Sequence, residues 1–355
     1  MTAPGAESSV TPVIREASPA DADAVAAFTR DTWGERHEDY IPRVFAEWAA
    51  SDDSDSATLV ATLPPAALDG SDAIASDDAR GPEDTLVAGD GTGAAPEGEP
   101  EAVVGCIQGV LLSEWEAWGQ GIRVDPAARG FGVGTALSKA ALGWARDRGA
   151  TVCRNMVFSW NVMGLGQSRA AGFDPATEFR FAEPAPDSSA LDDDAETAAV
   201  GVVADPDPNA AWAFWTTSDA RSHLNGLALD PEEPWACSAL TRERLVTAAA
   251  EDRLLAVADA DGFAGFAVRV RVSEQGADGE AVRTAVYGVA AWRDANAADA
   301  LYDAVAADAA AVDAAGARVL IPETVDHVSD TGASRVAVAA EPDFVMRADL
   351  TGERP

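Results

Sequence analysis

The sequence predicts an α/β fold, a mixed central sheet flanked by helices and built twice in tandem, on three observations. The first is the stretch Gly121-Ile122-Arg123-Val124-Asp125-Pro126-Ala127-Ala128-Arg129-Gly130-Phe131-Gly132-Val133-Gly134-Thr135-Ala136-Leu137, which reads as strand, glycine loop and helix. The second is the alternation, on both sides of it, of short apolar runs with segments of helical periodicity. The third is that the chain beyond residue 208 repeats this order in outline. A length of 355 residues exceeds one usual hydrophobic core and agrees with two domains.

Residues 1–9 read as a loose tail, and Val10 to Glu16 as a first strand. Ser18-Pro19 then opens a helix, serine as cap and proline at its first position. The segment Trp33 to Pro42 breaks that helix, and Val44, Phe45 and Trp48 resume an apolar face. Ala57 to Leu63 is a strand. Residues 64–100 carry nine carboxylates against Arg80 alone and predict a long acidic insertion without order. Ala102 to Leu112, apolar at odd and even positions alike, predicts a central strand, and Ser113-Glu114 turns the chain into the strand ending at Val124. Asp125-Pro126 stops that strand. Ala136, Leu137, Ala140, Ala141, Trp144 and Ala145 recur at helical spacing up to the stop Arg148-Gly149. Thr151 to Trp160 is a strand, Asn161 opens a short helix closing on Gly172-Phe173, and Thr177 to Phe181 is a strand.

The chemistry of the glycine loop follows from its backbone. Gly130, Gly132 and Gly134 let the chain turn where a side chain would block a ligand. Free N–H groups at a helix N-terminus then make an anion site suited to a pyrophosphate. It is no P-loop, because Lys139 comes a helical turn late, and the G-x-G-x-G spacing differs from the dinucleotide fingerprint G-x-G-x-x-G. The string Val-x-Pro-x-x-Arg-Gly-x-Gly-x-Gly-x-x-Leu resembles motif A of the GNAT superfamily of N-acetyltransferases. Asn161 followed by Gly172-Phe173 resembles the family's motif B. The resemblance covers roughly residues 10–183. It implies a sheet whose fourth and fifth strands splay to admit acetyl-CoA. Arg129, Gly130, Phe131, Gly132, Val133, Gly134 and Thr135 would hold the pyrophosphate. Ile122, Arg123 and Val124 would supply main-chain contacts to the pantetheine arm, and Asn161 would be a further acetyl-CoA contact.

Composition narrows the class. The net charge is −35, and Lys139 is the only lysine. This style resembles proteins of organisms that keep molar salt in the cytoplasm, haloarchaea among them. A hydrophobic share of 47% and ten tryptophans argue against an acidic disordered chain. No basic patch exists to neutralise nucleic-acid phosphates. Cys106, Cys153 and Cys237 are too widely spaced for a disulfide framework or a zinc site, and no metal is expected. No apolar run spans a bilayer and the N-terminus lacks signal-peptide regions, so a cytoplasmic protein without membrane contact is expected.

The expected organisation is a catalytic domain over 10–184, a linker over 185–208 and a second domain over 209–352. The second domain reads as a hairpin of Leu254–Ala258 and Gly265–Val270, a strand Ala285–Val289, an alanine-rich helix from 296 to 315 and a strand Arg318–Ile321. Its order resembles a second GNAT unit. Where glycines should stand it reads Ala291-Trp292-Arg293-Asp294-Ala295-Asn296-Ala297, which predicts a degenerate copy without a coenzyme A site. The second domain is expected to contact the first and cover part of its acceptor cleft.

Acetyl transfer to an amine needs a thioester held at an open strand edge, an N–H for the developing oxyanion, and loss of the ammonium proton. Alternation puts Glu116, Trp118, Gln120, Ile122 and Val124 on one face of the fourth strand. The resemblance places the base on that face, so Glu116, acting through a water, is a candidate, with Gln120 beside the thioester. A surface carboxylate near a turn is the alternative for Glu116. Ser168 stands where the family's general-acid tyrosine would be, and a serine hydroxyl is a weak acid. The resemblance also makes His37, Asp39, Tyr40 and Trp118 substrate contacts; a role in covering a helix junction is the alternative for His37, Asp39 and Tyr40. The expected reaction is transfer of acetyl from acetyl-CoA to a primary amine of a small molecule. The string Asp39-Tyr40-Ile41-Pro42 with Phe45 and Trp48 is similar to the histidine N-acetyltransferase group, whose acceptor is a free amino acid. Acetylation of a protein amine, or acetyl-CoA sensing without catalysis, are the alternatives.

Overall fold

The computed structural model describes residues 10–30, 32, 39–68, 101–191, 199–275 and 281–352. They form two compact units. Unit 1 takes in the residues up to Asn155, Met163–Asp174 and the chain from Arg347; unit 2 takes in Met156–Val162 and Pro175–Met346. The expected tail 1–9, most of the acidic insertion, and His37 lie outside the described residues.

Unit 1 runs β1 (Val13–Glu16), α1 (Ala22–Thr29), α2 (Ile41–Ala50), β2 (Ser56–Leu63), α3 (Pro65–Leu68), β3 (Ala102–Leu111), β4 (Glu116–Val124), α4 (Val133–Asp147), β5 (Val152–Phe158) and α5 (Val162–Ala170). Strands β1 to β4 pair antiparallel in sequence order, and β5 joins β4 in parallel. Alternation along β2 sends Val60 to one face, against Val25, Phe28, Ile41 and Phe45 of α1 and α2. Leu59, Ala61 and Leu63 go to the other, against Val133, Leu137 and Ala141 of α4. Strand β3, buried from Ala102 to Gly109, is accordingly apolar on both faces except at Gln108. Helix α4 ends at Gly149, φ +95°, whose N–H meets Arg146 O while Ala150 N meets Ala145 O. This paired closure satisfies the last carbonyls and confirms the predicted stop.

Unit 2 follows with β6 (Asp174–Glu183), β7 (Gly201–Val202), α6 (Pro208–Thr217), α7 (Asp219–His223), β8 (Leu227–Leu229), β9 (Cys237–Ala239), α8 (Arg242–Ala250), β10 (Leu254–Asp259), β11 (Gly262–Gln275), β12 (Val282–Trp292), α9 (Ala295–Ala311), β13 (Gly316–Pro322), α10 (Val325–Ala333), β14 (Ala337–Val338) and β15 (Asp343–Asp349). Its sheet is ordered β7-β10-β11-β12-β13-β6, with β12 and β13 parallel and the other neighbours antiparallel. Helix α9 buries Leu301, Tyr302, Val305 and Ala309 against Tyr287, Val319 and Ile321 of the sheet. Strand β7, paired with β10, lies inside the stretch expected to be linker. Among the described residues no helix is long and apolar enough to cross a membrane.

Candidate active site

The loop between β4 and α4 is pinned at its start. Asp125 N donates to Val104 O at 2.8 Å, and the Asp125 carboxylate accepts Ala127 N at 2.9 Å, closing a single turn over Pro126–Ala128. The chain then needs left-handed backbone twice, at Gly130 (φ +89°) and Gly132 (φ +74°). Both are exposed, and a Cβ at either would meet nothing within 4 Å. Gly134 does a different job: a Cβ there would come within 3.0 Å of the Gln167 side chain on α5, so this glycine permits helix packing. Gln167 Nε2 donates to Gly134 O at 2.9 Å and to Ser138 Oγ at 2.8 Å. The bond from Ala136 N to Gly132 O, 3.0 Å, opens the helix ladder. The N–H groups of Val133, Gly134 and Thr135 therefore have no carbonyl inside the helix. No acidic side chain stands in this first turn, and Arg129 is exposed beside it. Phe131 packs half-buried on the α4 core.

Strand β4 departs from strict alternation. Gln120 pairs with Gln108 but Arg123 with Cys106, so β4 carries one extra residue, and Gly121 takes φ +64° there. Before this bulge, Gln120 Nε2 donates to Gln108 Oε1 at 2.8 Å on the face of α1 and α2. After it, a Cβ on Gly121 would meet Trp48 at 2.8 Å and Ile41 at 3.0 Å, so Gly121 faces α2 as well. The expectation for Ile122 and Val124 is thereby corrected. The bulge turns both side chains to the α4 face, into the cluster of Val133 and Leu137, and Arg123 takes their place. The Arg123 guanidinium meets Asp39 at 2.6 and 3.1 Å, with the arginine side chain 9% exposed and the aspartate 0%. Asp39 also accepts Ile41 N at 3.0 Å, and Tyr40 lies 5.8 Å from the guanidinium. Asp39 thus ties the approach to α2 onto the bulged strand.

The β4–β5 ladder consists of Glu116↔Val152, Ala117↔Cys153 and Trp118↔Arg154 and goes no further, although β4 continues to Val124. Glu116 sits at the closed end of this ladder. It is buried, not on the surface, and its carboxylate meets Arg154 Nη1 at 2.6 Å. Trp118 is 1% exposed and belongs to the interior. Ser168 on α5 is buried, and its hydroxyl accepts Asn155 Nδ2 at 3.1 Å. Asn161 falls in unit 2, in the turn before α5. Sequence reasoning missed Asn155, Gln108 and Arg154, whose partners lie on other elements. It could have found the bulge, because a glycine inside a strand pattern is its usual mark.

In unit 2, β12 pairs with β13 from Thr284↔Gly316 to Tyr287↔Val319 and then leaves β13, continuing to Trp292 paired with β11. The turn into α9 has no glycine. Asp294 caps it instead, accepting Asn296 N at 3.1 Å and Ala297 N at 3.0 Å. The Ala297 N–H holds this carboxyl below the usual carboxylate range, against partial burial and with help from Arg293. The anion position of α9 is filled from within the chain.

Residues 61–162 match the model of the acetyltransferase (GNAT) family, a span running from the end of β2 to the first residue of α5. No curated protein sequence matches the chain. Among solved structures it is similar to a GCN5-related N-acetyltransferase from Sphaerobacter thermophilus, at 16% identity and TM-score 0.53, covering 97% of this chain and 96% of that one. A tandem GNAT protein from the clavulanic acid biosynthesis pathway aligns at 12% identity and TM-score 0.50, covering 97% and 100%. The glucosamine N-acetyltransferase region of a fungal multi-domain β-N-acetylglucosaminidase aligns at 12% identity and TM-score 0.52, covering 95% of this chain and 38% of that one. Residues 61–162 thus match the GNAT acetyltransferase family model, and the chain has a mixed α/β fold.

Proposed function

We propose that unit 1 transfers the acetyl group of acetyl-CoA to a primary amine of a small molecule or amino acid. The observation that carries this reading is the open first turn of α4, where exposed Gly130 and Gly132 stand in left-handed backbone and a Cβ on either would meet no described residue within 4 Å. That cradle fits a pyrophosphate: three N–H groups without helical acceptors point out of the positive end of a 15-residue helix. When bound, acetyl-CoA supplies an activated acyl group. The chain's own residues do the rest. Backbone of Gly130 to Thr135 holds the diphosphate. The part of β4 beyond Trp118, free of β5, offers its main chain to the arm, and the Gly121 bulge sets where those groups point.

Among the described residues, no side chain on the acceptor face is a ready base. Glu116 is held by Arg154, and Gln120 is an amide. We assign loss of the acceptor ammonium proton to water, a step that costs more as the amine pKa rises from about 8 for a peptide α-amine towards about 10 for an alkyl amine. Asp39 and Arg123 hold the acceptor-side backbone, and Tyr40 lines it. Unit 2 is a degenerate copy whose anion position Asp294 keeps closed. Free-thiol release on mixing acetyl-CoA with a panel of amines in molar potassium chloride tests the activity, and release no faster than without protein would refute it. Gly132→Glu puts a carboxylate where the diphosphate docks, so calorimetry should then show no acetyl-CoA binding.

A further inference from the structure

We propose that Asn155 on β5 is a binding residue for the pantetheine arm of the acyl donor, a role that rests on the acetyl-CoA reading above. Asn155 is the first residue of β5 past the last pair of the β4–β5 ladder, Trp118↔Arg154. The Arg154 side chain turns to Glu116 on the face of α1 and α2, so alternation sends Asn155 to the face of α4. There Asn155 Nδ2 donates to Ser168 Oγ at 3.1 Å. The neighbouring Gln167 bonds to Gly134 O and Ser138 Oγ of α4. One helix, α5, thus holds both Asn155 and the first turn that receives the diphosphate.

The Asn155 amide is half used. Its Oδ1 is buried and has no hydrogen-bond partner among the described residues. Buried polar atoms are nearly always paired with protein or ordered water, so an orphan beside the open edge of β4 is a place where a ligand donor can be received. A pantetheine arm anchored at the α4 turn and reaching the open edge of β4 carries secondary-amide N–H groups along its length. These are the donors that Oδ1 lacks. Ser168, in the place where the resemblance expects a tyrosine, serves to hold the Asn155 amide with its oxygen turned to the arm.

Calorimetry on the full chain in molar potassium chloride tests this with two probes, acetyl-CoA and adenosine 3′-phosphate 5′-diphosphate, the same nucleotide without the arm. Asn155→Leu and Asn155→Ala should weaken acetyl-CoA roughly five- to tenfold, one neutral hydrogen bond, and leave the nucleotide unchanged. Asn155→Asp keeps the acceptor, and the Ser168 hydroxyl can donate to it, so its acetyl-CoA affinity should stay within roughly threefold of wild type. Unchanged acetyl-CoA affinity in the leucine and alanine variants would overturn the assignment. So would equal loss for both probes, which would mean that α5 and the α4 turn had shifted together. A wild-type chain that binds neither probe would instead sink the acetyl-CoA reading itself.

Discussion

Asp39→Ala separates a substrate contact from a structural tie, because the two roles differ in what they cost. The Asp39 side chain is fully buried and holds the Arg123 guanidinium at 2.6 Å. Removing it takes away the carboxylate of a buried guanidinium, although Arg123 Nη1 still donates to Ile122 O at 2.9 Å. Breaking a buried pair from one side typically costs about 3–5 kcal/mol. Losing the acceptor for Ile41 N, at the start of α2, adds roughly 1 kcal/mol. Against a usual stability of roughly 5–15 kcal/mol, most of the margin is gone. Molar salt will not hide this, since buried charges are poorly screened. The exposed pair of Arg253 and Glu251 is the control, and Glu251→Gln should cost under about 1 kcal/mol. Urea unfolding of the full chain at fixed potassium chloride, with acetyl-transfer rates at saturating and limiting amine, supplies both readouts. If Asp39→Ala unfolds at the wild-type urea concentration while KM for the amine rises, the structural account is wrong and Asp39 binds substrate.

Three further outcomes are expected. Glu116→Gln should destabilise unit 1 by stranding Arg154, while kcat per folded molecule stays within about threefold of wild type; a fall of about 10²-fold with intact stability would make Glu116 the general base. Burial pushes the Asp343 carboxyl up to about 6, with Arg318 opposing and Glu341 adding to the rise. Its neutral form therefore favours the native state below about pH 4, and that contribution is lost as the pH rises through about 6. Asp343→Asn should raise stability at pH 8 by on the order of 2 kcal/mol and change little at pH 4, and equal melting shifts at both pH values would refute this. The charge of −35 predicts a melting temperature that climbs up to molar potassium chloride, as the Debye length shrinks from about 30 Å at low salt to about 3 Å; a flat or falling series would count against it.

Local signals were legible because they depend on neighbouring residues alone. The left-handed demands at Gly130, Gly132 and Gly149, the strand stop at Asp125-Pro126, the two-faced apolar run of β3 and the 3.6-residue repeat of α4 all follow from backbone sterics and side-chain spacing. So does Asp294 as the cap of α9, a short acceptor one step before a helix. The face of β4 beyond Gln120 was not legible. Register belongs to a pair of strands, and one extra residue opposite β3 moves every later side chain to the other side. Nor could the sequence pair Asp39 with Arg123, Glu116 with Arg154 or Asn155 with Ser168. A buried charge or amide must find its partner wherever folding brings one, here 84, 38 and 13 residues away. The same holds for the chain from Arg347, which belongs to unit 1, where Leu350 N donates to Thr151 O at 2.9 Å. Sequence by itself determined the left-handed glycine loop and open helix turn proposed to hold the diphosphate, because a helix end and two glycines make it. Only the tertiary structure decided what surrounds the reacting groups, because long-range pairing sets which of those side chains are committed and which are left to meet a ligand.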